Sequence, residues 1–125
     1  MQLISVIQDQ KLVVKVKGKF IAKDILKVRR QIEGYQLKAH KVLLIDLSKV
    51  DLIDSSGIGM LVFLAKRLKV RGVSLVIIGL HKQPLALFES LGLHNLFDCF
   101  ESYQSYTKYS KRLIATSLSG LLFSS

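Results

Sequence analysis

The run Val42-Leu43-Leu44-Ile45-Asp46-Leu47 constrains the fold more than any other stretch of the chain. It is aliphatic throughout except at Asp46 and shows no alternation, so a strand here must be covered on both faces. A second such run spans Val73 to Ile78. Between them Ile58, Leu61, Val62, Ala65 and Leu68 recur at helical spacing, and Arg71-Gly72 supplies a stop. Two doubly buried strands joined through an amphipathic helix define a parallel pair with a crossover, the unit of an α/β domain.

The flanking segments extend this pattern. Leu3–Ile7 and Leu12–Val16, separated by the polar Asp9-Gln10, read as a hairpin. In its second arm Lys11, Lys15 and Lys17 share one parity while Leu12, Val14 and Val16 share the other, so one face is wet and one buried. Gly18 is expected to end that strand. Ile21, Ile25, Val28 and Ile32 then mark a helix that stops at Gly34. A short helix is expected around Pro84–Leu91, a strand over Leu96–Phe100, and a last helix after Glu101. The expected architecture is a mixed, mostly parallel sheet with an antiparallel edge hairpin and flanking helices.

At 125 residues, half of them hydrophobic, the chain has material for one packed core. One domain is expected over 1–117, followed by a short apolar C-terminal tail, 118–125. The lone Cys99 excludes an internal disulfide and a thiol pair for zinc. Met1 to Gln10 lacks the order of a signal peptide, and no apolar stretch approaches the ~20 residues that span a bilayer. A cytoplasmic protein without membrane insertion is expected. The net charge of +10 favours anionic partners: nucleic acid, acidic protein surfaces or a lipid face.

The chemistry concentrates where the Val42 strand runs through Val50-Asp51-Leu52-Ile53 into Asp54-Ser55-Ser56-Gly57-Ile58-Gly59. This is a strand-to-helix turn with capping oxygens and glycines that permit close backbone approach. Helix capping alone explains much of this turn. The position adds more, because loops after the carboxyl ends of parallel strands form the usual site edge. A serine at a helix N-terminus is exposed, and the helix dipole favours added negative charge there. Phosphorylation at Ser55, or at Ser56 as second candidate, adds about −1.5 to −2 charges. Asp54 and Gly57 form the environment of such a switch. On the following helix Met60, Phe63 and Arg67 fall opposite the apolar stripe and are expected to contact a partner.

Val42–Asp46, Ile53-Asp54-Ser55-Ser56-Gly57-Ile58-Gly59, the Arg71-Gly72 turn into Val73–Ile78, and Leu87-Phe88-Glu89-Ser90-Leu91-Gly92-Leu93 together resemble a STAS domain. The likeness runs from Leu3 to Tyr103 and is strongest to bacterial anti-sigma factor antagonists. It implies that the serine after the aspartate, Ser55, is phosphorylated by an anti-sigma factor that is also a serine kinase. The unmodified antagonist then binds that factor and frees a sigma factor, and a serine phosphatase reverses the modification. The resemblance implies neither catalysis nor a cofactor nor a small-molecule substrate. Two features depart from the family: Gly18-Lys19-Phe20 is followed by Ile21, with Asp24 the nearest acid, and the chain is strongly basic. They leave open a STAS subunit of a membrane-associated transport complex.

Other chemistries find less support. Ser55, His81 and either Asp54 or Asp98 fit a hydrolase by order, but the Gly-x-Ser-x-Gly elbow is missing. No phosphate loop is present, Asp46, Asp51 and Asp54 lack paired spacing for magnesium, and His40, His81 and His94 are scattered. The early lysines and arginines have no nucleic-acid-binding motif beside them, so nucleic acid is not the expected partner.

Overall fold

The structure, a computed structural model, describes residues 2–33 and 41–112, apart from the side chains of Asp24, Ile25 and Val28. The expected stop at Gly34, His40, the inward faces of Ile25 and Val28, and the apolar tail 118–125 lie outside the described residues.

Strand β1 (Gln2–Gln8) pairs antiparallel with β2 (Lys11–Phe20). Helix α1 (Ala22–Glu33), β3 (Val42–Ile53), α2 (Ser55–Val70), β4 (Ser74–Ile78), α3 (Lys82–Ser90) and β5 (Asp98–Phe100) follow. A 3-10 turn at Leu93–Asn95 precedes β5, and helix α4 occupies 103–112. The sheet order is β1-β2-β3-β4-β5, parallel from β2 onward.

All three crossovers step in the same direction across the sheet. Right-handed connections therefore place α1, α2 and α3 on one face. The main core lies there: Leu43, Ile45 and Leu47 of β3 and Leu75 and Ile77 of β4 pack against Ile32, Leu61, Leu64, Leu68 and Phe88 of the helices. On the second face Val13, Leu44, Val76 and Ile78 are covered by Tyr106 of α4. That double cover is why the β3 and β4 sequences carry no alternation.

The hairpin is as expected, but β2 does not end at Gly18. It continues to Phe20 because Gly18, at φ 109°, carries the chain past irregularities in the β2–β3 register. Asp9 and Gln10 both sit at positive φ, 51° and 64°, the backbone of a tight two-residue hairpin turn. The Asp9 carboxylate accepts the Tyr103 hydroxyl at 2.6 Å and ties that turn to α4. Burial, and then this bond, push the Tyr103 hydroxyl up to about 12.

The last strand is shorter than Leu96–Phe100. Gly92, at φ 65°, leads into the 3-10 turn, which buries Leu93 and leaves Leu96 exposed, so pairing begins only at Asp98.

The stripe of α2 is also shifted from the expected one. Met60 is 5% exposed and Leu64 3%, whereas Val62 and Ala65 are half-buried. Met60 and Leu64 belong to the main core, and Val62 and Ala65 pack against its edge. The latter two line a groove of about 600 Å³, shared with Lys66, Lys69, Phe97 and Asp98. Met60 is thus a core residue and not a surface contact.

Candidate functional site

The serine turn lies at the carboxyl end of β3, where three elements are gathered on Asp54. Its Oδ1 accepts the Gly57 N–H at 3.0 Å and caps α2. Its Oδ2 accepts the Ala22 N–H at 3.2 Å, at the first residue of α1. Its own N–H reaches the Phe20 carbonyl at 3.4 Å, the end of β2. One carboxylate thus joins two helix N-termini, each carrying partial positive charge. The Gly57 N–H is the main reason the Asp54 carboxyl sits below its ordinary 3.8; partial burial opposes this, and the Ala22 N–H adds to it.

Gly57 permits the close approach. A Cβ there would lie 2.4 Å from the Phe20 carbonyl oxygen and 2.7 Å from Ile53 Cγ1. From the other side Gln83 clamps the turn with a two-point bond: Oε1 accepts the Ile53 N–H and Nε2 donates to the Ile53 carbonyl, both at 2.9 Å. The amide extends the β3 edge as a neighbouring strand would.

Ser55 is the first residue of α2 and is exposed; Ser56 is half-buried. With Asp54 as the cap, Ser55 Oγ is spared that task, and among the described residues it makes no hydrogen bond. The hydroxyl points into solvent beside two helix N-termini.

About 12 Å further along α2, at 1.5 Å per residue, lies Phe63, 40% exposed. Arg29 of α1 stacks on its ring at 4.7 Å and Arg67 sits 5.9 Å from it. Glu33 holds both guanidinium groups, at 3.2 and 3.1 Å. Phe63 and Arg67 therefore share one surface as expected, but joined by Arg29 and Glu33 from α1. The Arg29–Glu33 spacing of four was a legible helical pair; Gln83 left no sequence signal.

The hydrolase order does not assemble. His81 Nδ1 lies 3.0 Å from the Gly79 carbonyl and Nε2 3.4 Å from Asp51, so both nitrogens are engaged away from Ser55. Asp98 stands on β5 and lines the groove beside α2. The three acids of the magnesium reading are used separately: Asp46 accepts the Ser48 N–H, Asp51 faces His81 and Lys82, and Asp54 caps the helices. Among the described residues no three acid, histidine or cysteine side chains gather as metal ligands, and no helix is long and apolar enough to cross a membrane.

The model of the STAS domain family matches residues 2–106. An anti-sigma-B factor antagonist of Listeria monocytogenes is 39% identical over 83 residues, covering 66% of this chain and 73% of that one. In fold the chain is similar to an anti-sigma factor antagonist from Mycobacterium paratuberculosis, with TM-score 0.77, 18% identity, and 86% and 92% of the two chains covered. It is also similar to the phosphorylated form of the Bacillus cell fate determinant SpoIIAA, with TM-score 0.62, 14% identity, and 86% and 97% covered.

Proposed function

The chain belongs to the STAS domain family, among the anti-sigma factor antagonists, and on that premise we propose that it is a cytoplasmic, non-catalytic binding module that sequesters an anti-sigma factor and is switched off by phosphorylation of Ser55. The anti-sigma factor is the serine kinase, its capture releases a sigma factor, and a serine phosphatase returns the module to its binding form. The observation that carries this reading is the exposed, uncommitted Ser55 hydroxyl at the start of α2, with Asp54 already serving as the cap.

The charge logic follows from that arrangement. A phosphate on Ser55 meets the N-termini of α2 and α1, whose dipoles favour it. The neighbouring Asp54 carboxylate opposes it only locally. The fold therefore tolerates the modification, and the added charge acts outward on whatever rests against the turn. Phe63 and Arg67, with Arg29 beside them, extend the binding face along α2, since aromatic and arginine anchors dominate many interfaces.

The test is in-vitro phosphorylation by the cognate anti-sigma factor, followed by peptide mass spectrometry and titration of the complex. Phosphate is expected on Ser55. Ser55→Ala should abolish labelling and retain binding, and Ser55→Asp should keep the fold and weaken binding at least tenfold. Labelling confined to Ser56 or to another segment, with Ser55→Asp binding as the parent does, overturns the assignment.

A further inference from the structure

The face of the sheet turned away from α1–α3 is only partly covered by α4. Strand alternation decides what the rest presents. Val14, Val16 and Phe20 point into the main core, so Lys15, Lys17 and Lys19 of β2 stand on the second face, all exposed. Lys49 of β3 is in register beside Lys17, and Leu52 beside Lys19. On the other flank Ile4 lies beside Lys15, and Val6 beside Val13. Ile4 is 55% exposed, Val6 38% and Leu52 39%.

Asp46 is the acid of this patch, and its Oδ1 accepts the Ser48 N–H. None of the four lysines forms an ion pair among the described residues. Lys17 and Lys49 are cross-strand neighbours of like charge, an arrangement that opposes sheet pairing. An anionic surface laid against the patch would offset that repulsion.

We propose that this face docks flat on an anionic lipid surface. Lysine stems lie along apolar surface while their ammonium groups reach out to headgroups, and each lysine near such a surface strengthens attachment. Aliphatic side chains between the lysines suit the headgroup boundary. Nucleic acid is the poorer match, because among the described residues the strands of the patch hold no arginine fork for phosphates. On the same face Tyr106 is buried and the Tyr103 hydroxyl is bonded to Asp9, which leaves them poorly placed for base stacking. Because α2 is on the opposite face, Ser55 and Phe63 remain accessible to a protein partner while the chain lies on the bilayer. The proposal does not rest on phosphorylation of Ser55.

Co-sedimentation with vesicles tests it. The full chain is expected to bind vesicles of phosphatidylcholine containing phosphatidylglycerol, to lose that binding in high salt, and not to bind pure phosphatidylcholine. Lys15→Gln with Lys17→Gln should lower partitioning about 25-fold, about fivefold per lysine, at unchanged melting temperature. Lys66→Gln with Lys69→Gln, an equal charge loss on α2, should cost much less. Equal losses for the two double variants mean general attraction by the +10 chain and overturn the patch. Absence of binding to the anionic vesicles overturns it too, as does mixed RNA binding that is selectively lost with Lys15 and Lys17 while vesicles are ignored.

Discussion

Two glycines of α2 should respond to the same substitution with opposite sign. A methyl group on Gly57 would lie 2.4 Å from the Phe20 carbonyl oxygen, 2.6 Å from Phe20 Cδ1 and 2.7 Å from Ile53 Cγ1, where ordinary contact begins at 3.4 Å. The obstacle nearest to it is backbone, so the start of α2 must move by roughly 1 Å, and overpacking of this kind costs about 1–3 kcal/mol. Replacing a helical glycine by alanine returns about 0.5–1 kcal/mol, which leaves Gly57→Ala less stable by up to about 2.5 kcal/mol, near 1 kcal/mol at the centre of the two ranges. Gly59, two residues on, has nothing within 4 Å of the same position. Gly59→Ala should therefore keep the whole gain of about 0.5–1 kcal/mol. At roughly 4 °C per kcal/mol for a chain of this size, Gly57→Ala should melt about 5 °C lower, and at most about 10 °C lower, and Gly59→Ala about 2–4 °C higher. Circular dichroism melts of the three proteins measure both. A Gly57→Ala protein that melts at or above the parent temperature, or a Gly59→Ala protein that falls by the same amount, refutes the close-approach argument.

Gln83→Leu keeps the volume but strips the Ile53 N–H and carbonyl of their partner, which should cost about 1–3 kcal/mol in urea unfolding; no loss would mean that water serves those groups equally well. Phe63→Ala should change stability by about 1 kcal/mol or less, as for a half-exposed site, and weaken the anti-sigma factor complex by more than about 1 kcal/mol; the reverse pattern in melts and titrations would make Phe63 part of the core. The Asp54 carboxyl is held below its ordinary 3.8, so its stabilisation is complete above that pH and is lost as pH falls through the lower folded value. Asp54→Asn should be less stable at neutral pH and show a shallower decline on acidification, read from urea midpoints; parallel pH profiles for the two proteins would contradict the capping role.

The buried strands, their crossover helix and the serine turn were legible because each follows from a single local pattern: unbroken aliphatic runs, helical spacing, a capping acid before a glycine. What escaped the sequence was set between elements. Met60 joins the core while Val62 packs only at its edge, and helical periodicity cannot separate side chains that lie within one wide stripe. Gly18 was a strand end by its propensity and a strand residue in fact, because the pairing on both sides of β2 outweighs local preference. Gln83 reached Ile53 only through the placement of α3, so no spacing along the chain foretold it. The stacking of Arg29 on Phe63 likewise joins α1 and α2 across a distance that sequence does not encode.

The sheet order β1-β2-β3-β4-β5 repeats the order of synthesis. Each strand is therefore added at the margin of what has already formed, and none has to be threaded between two earlier ones. As the chain leaves the ribosome the nascent sheet can grow by accretion, with the margin opposite β1 waiting for the next strand. An open margin is also a template for a foreign chain, so the hazard of mispairing travels with it along the polypeptide. Here β5 closes the series with only three residues, too short to recruit a further strand of any length. The Tyr103–Asp9 bond then links segments 94 positions apart, so the first turn to emerge is fastened last.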